Sequence, residues 1–255
     1  MKILLFIISI AVSIGCTQRK AKCFKGKVLF AVSNASFYGE SDIHTANHFP
    51  EIVLAYDIFK KSGYQIDFMS PGGGKVPLGY IYSDSLIQHY LYDEELLNLL
   101  QFTYKPSQID PSNYTAIFYP GGGSAMFGVP LDTAIQRIAL RIYETGSGVV
   151  STVCHGTAGI ANIQLSNGDF LVAGKRINGF PDLFEDKNGD YFQQFPFSIE
   201  EQITAHGGLF RYSSEGWDQY LEVDGRVITG QDPTSSALVA KAVIKALNKK
   251  SISTN

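Results

Sequence analysis

Hydrophobic positions along this chain fall into two patterns that take turns. Short unbroken apolar runs occur at 27–32 (KVLFAV), 64–69, 115–119 (TAIFY) and 149–153. Such runs predict strands covered on both faces. Between them, apolar residues recur at helical spacing. The stretch 51–62 (EIVLAYDIFKKS) predicts a helix that stops at Gly63, and 131–145 predicts one that stops at Gly146. A closing helix is predicted over 235–248, with shorter helices at 93–100 and 199–205. Short strands are predicted at 170–172 and 176–178. Asp224-Gly225 marks a hairpin between 221–223 and 226–229. Strand and helix therefore alternate, which predicts an α/β fold: a doubly wound, mostly parallel sheet with helices on both faces. The first β–α–β unit, 27–69, should cross over right-handed.

Two regions break the pattern. Residues 71–111 form an irregular, tyrosine-bearing excursion, long enough to predict an insertion or lid over a site. At the other break, Lys2 precedes twelve residues, 3–14, of which only Ser9 and Ser13 are polar. That run is too short to span a bilayer, which takes about 20 apolar residues. It fits the core of a signal peptide, 1–15. The following SIGC resembles a bacterial lipobox, with Cys16 as the lipidated residue and 16–26 as a polar, basic tether. An ordinary cleaved leader or an uncleaved anchor are the other readings. The expectation is an exported, membrane-anchored lipoprotein whose single domain occupies 27–250.

Composition narrows the functions. Apolar residues make up 45% of the 255, an ordinary core content, and the net charge of −3 leaves no basic footprint for nucleic acid. Three cysteines, Cys16, Cys23 and Cys154, make no disulfide framework.

Candidate chemistry centres on VVSTVCHGTAGIA, 149–161. It reads as a strand, a sharp turn at Cys154 and a helix packed through small residues. Such an elbow holds a side chain over the carboxyl end of the sheet, where open α/β sheets place their sites. Amides at the following helix start would favour a thiolate. A buried structural cysteine is the plainer reading, but it needs neither His155 nor the glycines around it. Pro120–Gly123 ends the neighbouring strand, and Gly122 and Gly123 could turn amides toward a reacting oxygen. Glu51 opens the first helix at the same edge. It serves either the helix dipole or acid–base chemistry in the cleft. Asp182 and Glu185 could each orient His155 as a third triad member. His44 and His48, four apart, sit in a polar loop without helical pattern, which disfavours a metal site. Trp217 reads as a packing anchor.

On NHFPE (47–51), SGYQIDFMSP (62–71), FYPGGG (118–123), VCHG (153–156), GFPD (179–182) and DGRVITGQDPTSS (224–236), the chain resembles the PfpI superfamily, and within it the glyoxalase III branch of chaperone and deglycase relatives. The resemblance runs from about Lys27 to Ala246. It implies a flavodoxin-like fold and a cofactor-free enzyme acting on methylglyoxal or a related α-oxoaldehyde. It implies Cys154 as nucleophile, His155 beside it, Glu51 as proton carrier, and Asp182 or Glu185 as third member. Thr157 stands where the family usually has proline. A chaperone or deglycase, a redox sensor and, more remotely, a peptidase are the competing functions. A glutamine amidotransferase fits poorly, because His206 is followed by two glycines. The expected partners are the small aldehyde, no nucleic acid, and membrane only through the N-terminal lipid. A homodimer is left open.

Overall fold

The structure, a computed structural model, describes residues 24–145 and 148–253. The stretch 1–15 that reads as a signal peptide, Cys16 and Cys23 lie outside the described residues. In chain order the strands are β1 (Lys27–Ala31), β2 (Asn47–His48), β3 (Gln65–Met69), β4 (Leu78–Gly79), β5 (Ala116–Tyr119), β6 (Val149–Val153), β7 (Arg176–Ile177), β8 (Leu209–Phe210), β9 (Leu221–Asp224) and β10 (Val227–Gly230). The helices are α1 (Phe49–Lys61), α2 (Ser85–Tyr90), α3 (Glu94–Gln101), α4 (Thr133–Glu144), α5 (Ala158–Ala161), α6 (Ile199–Ala205) and α7 (Ser236–Ser253).

The main sheet runs β3-β1-β5-β6-β10-β9, parallel except for the β9–β10 hairpin at its edge. This is the doubly wound sheet the alternating pattern predicts. Successive residues of β1 enter opposite cores. Val28 and Phe30 join a core that also holds α1 and α7 residues, while Leu29 and Ala31 join one that holds α4 and α6 residues. A strand with two buried faces must be apolar at every position, which explains its unbroken hydrophobic run. Phe30 packs between Phe68 and Phe118, with ring centroids 4.9 and 4.8 Å away.

The chain leaves β1 for β3 on one side and returns for β5 on the other. That reversal opens a crevice at the carboxyl ends of β1 and β5. The loop leaving β1 is fastened by the buried Asn47 side chain. It accepts from Ser33 N at 2.9 Å and donates to Ser33 O and Pro77 O, each at 2.9 Å. Parallel pairing of β2 with β4 then brings the 71–111 excursion against the head of α1.

Two predicted elements differ. Residues 170–172 form no extended strand. Phe170 makes a single bridge to Gln164, and Leu171 and Val172 are core residues inside a turn. Residues 171–174 turn at once, with Ala173 N donating to Phe170 O, so the backbone does not stay extended beyond that bridge. The helix predicted after the elbow is a 3-10 turn, Cys154–Thr157, followed by the single turn of α5.

Candidate active site

The elbow is a backbone event first. Cys154 follows β6 with φ +56°, a left-handed conformation rare outside glycine. Such a residue costs about 1–3 kcal/mol and persists where neighbours over-determine it. Gly156 supplies one such constraint, since a Cβ there would lie 2.2 Å from Tyr119 O. Phe180 N donates to Cys154 O at 3.3 Å, tying the elbow to the 176–185 segment.

Glu51 reaches the elbow from α1. His48 is the N-cap, Pro50 lies in the first turn, and Glu51 is the third helical residue. That is capping-box spacing, in which the glutamate normally turns back to the N-cap amide. Here the His48 amide donates instead to Gly121 O at 2.9 Å. The released carboxylate turns inward, and its Oε2 accepts from Gly121 N at 2.5 Å. The His48 ring does the capping, its Nδ1 accepting from Glu51 N at 3.3 Å.

His155 continues the line. Its Nδ1 lies 3.4 Å from Cys154 Sγ and its Nε2 lies 2.7 Å from Glu185 Oε1. Tyr191 donates to the second Glu185 oxygen at 3.0 Å. Asp182 faces elsewhere, accepting from Lys187 Nζ at 2.6 Å and Ser198 Oγ at 2.7 Å. A 3-10 turn over Asp182–Phe184 separates the two carboxylates and leaves Glu185 beyond it, against the imidazole. Thr157 anchors the turn after the elbow. Its hydroxyl donates to Asn178 O at 3.0 Å and lies 2.7 Å from the Thr152 hydroxyl.

Burial controls the ionisation. Glu51 has no exposed surface, and desolvation pushes its carboxyl up to about 8, against the lowering effects of the Gly121 amide and the Cys154 thiol; the Asp232 charge adds to the rise. Burial also pushes the Cys154 thiol well above its ordinary value, followed by the Glu51 charge; the His155 amide opposes both. The sequence-based expectation of a thiolate favoured by helix amides is therefore corrected. One amide acts as expected, but burial and a neighbouring carboxylate outweigh it, and a single-turn helix adds little dipole. Both shifts favour the neutral forms, thiol and carboxylic acid.

Gly122 (φ +93°) lies so near the strand β2 backbone that a Cβ would sit 2.5 Å from His48 N. Gly123 N donates to Tyr80 Oη at 3.4 Å. Phe180 stacks on His155 with centroids 4.7 Å apart, and Tyr80 stacks on His48 at 4.8 Å. Trp217 is 56% exposed and packs against Phe184 and Phe180, so it is a packing residue at the rim. Among the described residues no His, Cys, Asp and Glu cluster could hold a metal ion.

Sequence reasoning weighed His48 only as a metal ligand and Gly121 only as part of the 120–123 turn, and it missed Tyr191, Tyr80 and Tyr82. The signal for His48 was present: three residues before the helix's first acid, with proline between them, is an N-cap position. Tyrosines approaching from a distant loop leave no such trace.

No family model matches the chain. Glyoxalase 3 of Candida albicans is 31% identical over 236 residues, covering 86% of this chain and 98% of that protein. The chain belongs to the glutathione-independent glyoxalase (glyoxalase III) family. The crystal structure of glyoxalase III from Candida albicans superposes with a TM-score of 0.77 at 30% identity, covering 87% of this chain and 97% of that one. A Francisella tularensis structure, rapid encystment protein 24 kDa, gives 0.80 at 27% identity, covering 87% and 99%. A ThiJ/PfpI domain protein of Brachyspira murdochii, 16% identical with a TM-score of 0.58 over 88% and 96%, shares the fold.

These relatives correct one expectation. The exported, lipid-anchored reading with Cys16 lipidated rested on twelve apolar residues and SIGC. The curated glyoxalase relatives are yeast proteins whose descriptions name neither secretion nor lipid attachment, and the reading is withdrawn. The physical reason is that a short apolar run with one cysteine records hydrophobicity and little else. No described helix is long and apolar enough to cross a membrane.

Proposed function

We propose that this chain is a glutathione-independent glyoxalase that converts methylglyoxal, or a related α-oxoaldehyde, to the 2-hydroxy acid. The observation that carries the reading is the convergence of Glu51 and the His155–Glu185 pair on the Cys154 elbow. The fungal relatives named as glutathione-independent glyoxalases support the same activity. In this reading the single domain of 27–250 is the whole catalytic unit.

The Cys154 thiol adds to the aldehyde carbon, and its proton passes through His155 to the aldehyde oxygen. Glu51 as carboxylate then removes the hydrogen on that carbon as a proton, giving an enediolate with its negative charge on the second oxygen. It returns a proton to the neighbouring carbon while the hydroxyl proton of the first carbon passes to the second oxygen, and a thioester results. Water hydrolyses the thioester, releasing lactate and the thiol. The sum is methylglyoxal plus water, with oxidation at one carbon balanced by reduction at the next. Glu185, held by Tyr191, orients His155. Asp182 has no part in the reaction. The amides of Gly122, Gly123 and His155 are the proposed oxyanion donors, with a substrate oxygen displacing the Tyr80 hydroxyl from Gly123 N.

The test is lactate formation from methylglyoxal by purified protein in the absence of glutathione. Wild-type turnover and its loss in Cys154→Ser support the reading. Full rate in Cys154→Ser refutes the nucleophile, and no turnover by wild type refutes the activity.

A further inference from the structure

A buried acid that must ionise needs a route for its proton. Glu51 has no exposed surface, one oxygen is taken by Gly121 N, and Oε1 has no hydrogen-bond partner. That oxygen faces His48, whose Nδ1 lies 3.7 Å away, about half an ångström beyond hydrogen-bond reach. On the other side of the ring, Nε2 lies 3.0 Å from Tyr82 Oη. Tyr82 is 49% exposed, whereas His48 is 4% exposed. Because Glu51 N donates to Nδ1, the neutral ring carries its own proton on Nε2, directed at Tyr82.

We propose that His48 and Tyr82 form a proton relay joining Glu51 to solvent. The proposal rests on the reading of Glu51 as the base. The Glu51 Oε1–H bond breaks as an Nδ1–H bond forms. The Nε2–H bond breaks as its proton passes to the Tyr82 oxygen. The Tyr82 hydroxyl proton leaves to water, and the reverse sequence reloads the acid. No electrons change hands. Burial, then the nearby His155, pushes His48 down to about 3, so the ring holds no charge at rest. The other titratable groups acting on this pair are Cys154, Asp232 and Tyr80.

The experiment uses the full chain turning over methylglyoxal in D2O, reading kcat, KM and the deuterium at C2 of the lactate. His48→Asn keeps an oxygen that can cap Glu51 N but cannot pass a proton. A relay predicts a kcat lower by about tenfold or more, KM within about twofold, and less deuterium at C2. Added imidazole should restore part of kcat. Tyr82→Phe leaves the cap intact and should lower both kcat and deuterium to a smaller extent; it decides the matter if His48→Asn does not fold. Unchanged kcat and deuterium in the folded variants overturn the relay while leaving the glyoxalase reading intact. Absence of lactate with wild type overturns that reading instead.

Discussion

Gly121 lies against both the Glu51 carboxyl and the Cys154 elbow, with no room there for a Cβ. Its amide donates to Glu51 Oε2, and a Cβ on it would lie 2.8 Å from Cys154 Cβ, 2.9 Å from His155 N and 3.0 Å from Glu51 Oε2. Gly121→Ala should therefore push three groups of the proposed site at once. The expected cost is about 1–3 kcal/mol of stability, as for overpacking, with a fall in kcat/KM of about 100-fold. Urea unfolding and steady-state kinetics check it. A variant with normal turnover would show that the cleft tolerates this displacement.

Glu51→Gln should abolish turnover yet protect the fold in alkali. The native carboxyl is raised from 4.5 to about 8, so its stability contribution is complete below 4.5 and is lost as pH climbs through about 8. Glutamine ionises nowhere in that window. Melting temperatures of wild type and variant should diverge between pH 5 and 9, with the variant ahead at the alkaline end. Parallel curves contradict the raised value.

The same substitution should make the thiol easier to ionise, because the Glu51 charge helps hold Cys154 up. Alkylation of Cys154 by iodoacetamide should be slow at neutral pH in wild type. Its pH profile should move to lower pH in Glu51→Gln. Coincident profiles would assign the elevation to burial alone.

Glu185 and Asp182 should separate sharply. Glu185→Gln weakens the hold on His155 Nε2 and should lower kcat by about 10- to 1000-fold. Asp182→Asn touches only a half-exposed lysine and the Ser198 hydroxyl, and should leave kcat within about twofold and stability within about 1 kcal/mol. Kinetics on the two variants side by side would reverse the assignment if Asp182→Asn were the damaged one.

Thr157→Val should cost about 1–3 kcal/mol, since it strips the Asn178 carbonyl and the Thr152 hydroxyl of a shared partner in a buried place. Thermal unfolding measures it. An unchanged midpoint would mean that neither bond contributes to stability.

The chain's own order determined the sheet, its hairpin edge and the elbow, because each is written in local periodicity or in a fixed cluster of residues. Phe30 must be apolar to lie under α1, and Leu29 must be apolar to lie under α4. Cys154, His155 and Glu51 were legible for the same reason: a turn and a helix head are short-range features. Tertiary structure alone decided between Asp182 and Glu185, since one 3-10 turn rotates them to opposite partners and both satisfy the same spacing. It alone raised the Cys154 thiol, because desolvation sums every neighbour and no local window contains them. It alone brought Tyr82 from the excursion onto His48, through a two-residue strand pairing across 30 positions or more of intervening chain. A side chain's identity is local, whereas its protonation and its partners belong to the volume into which the whole fold packs it.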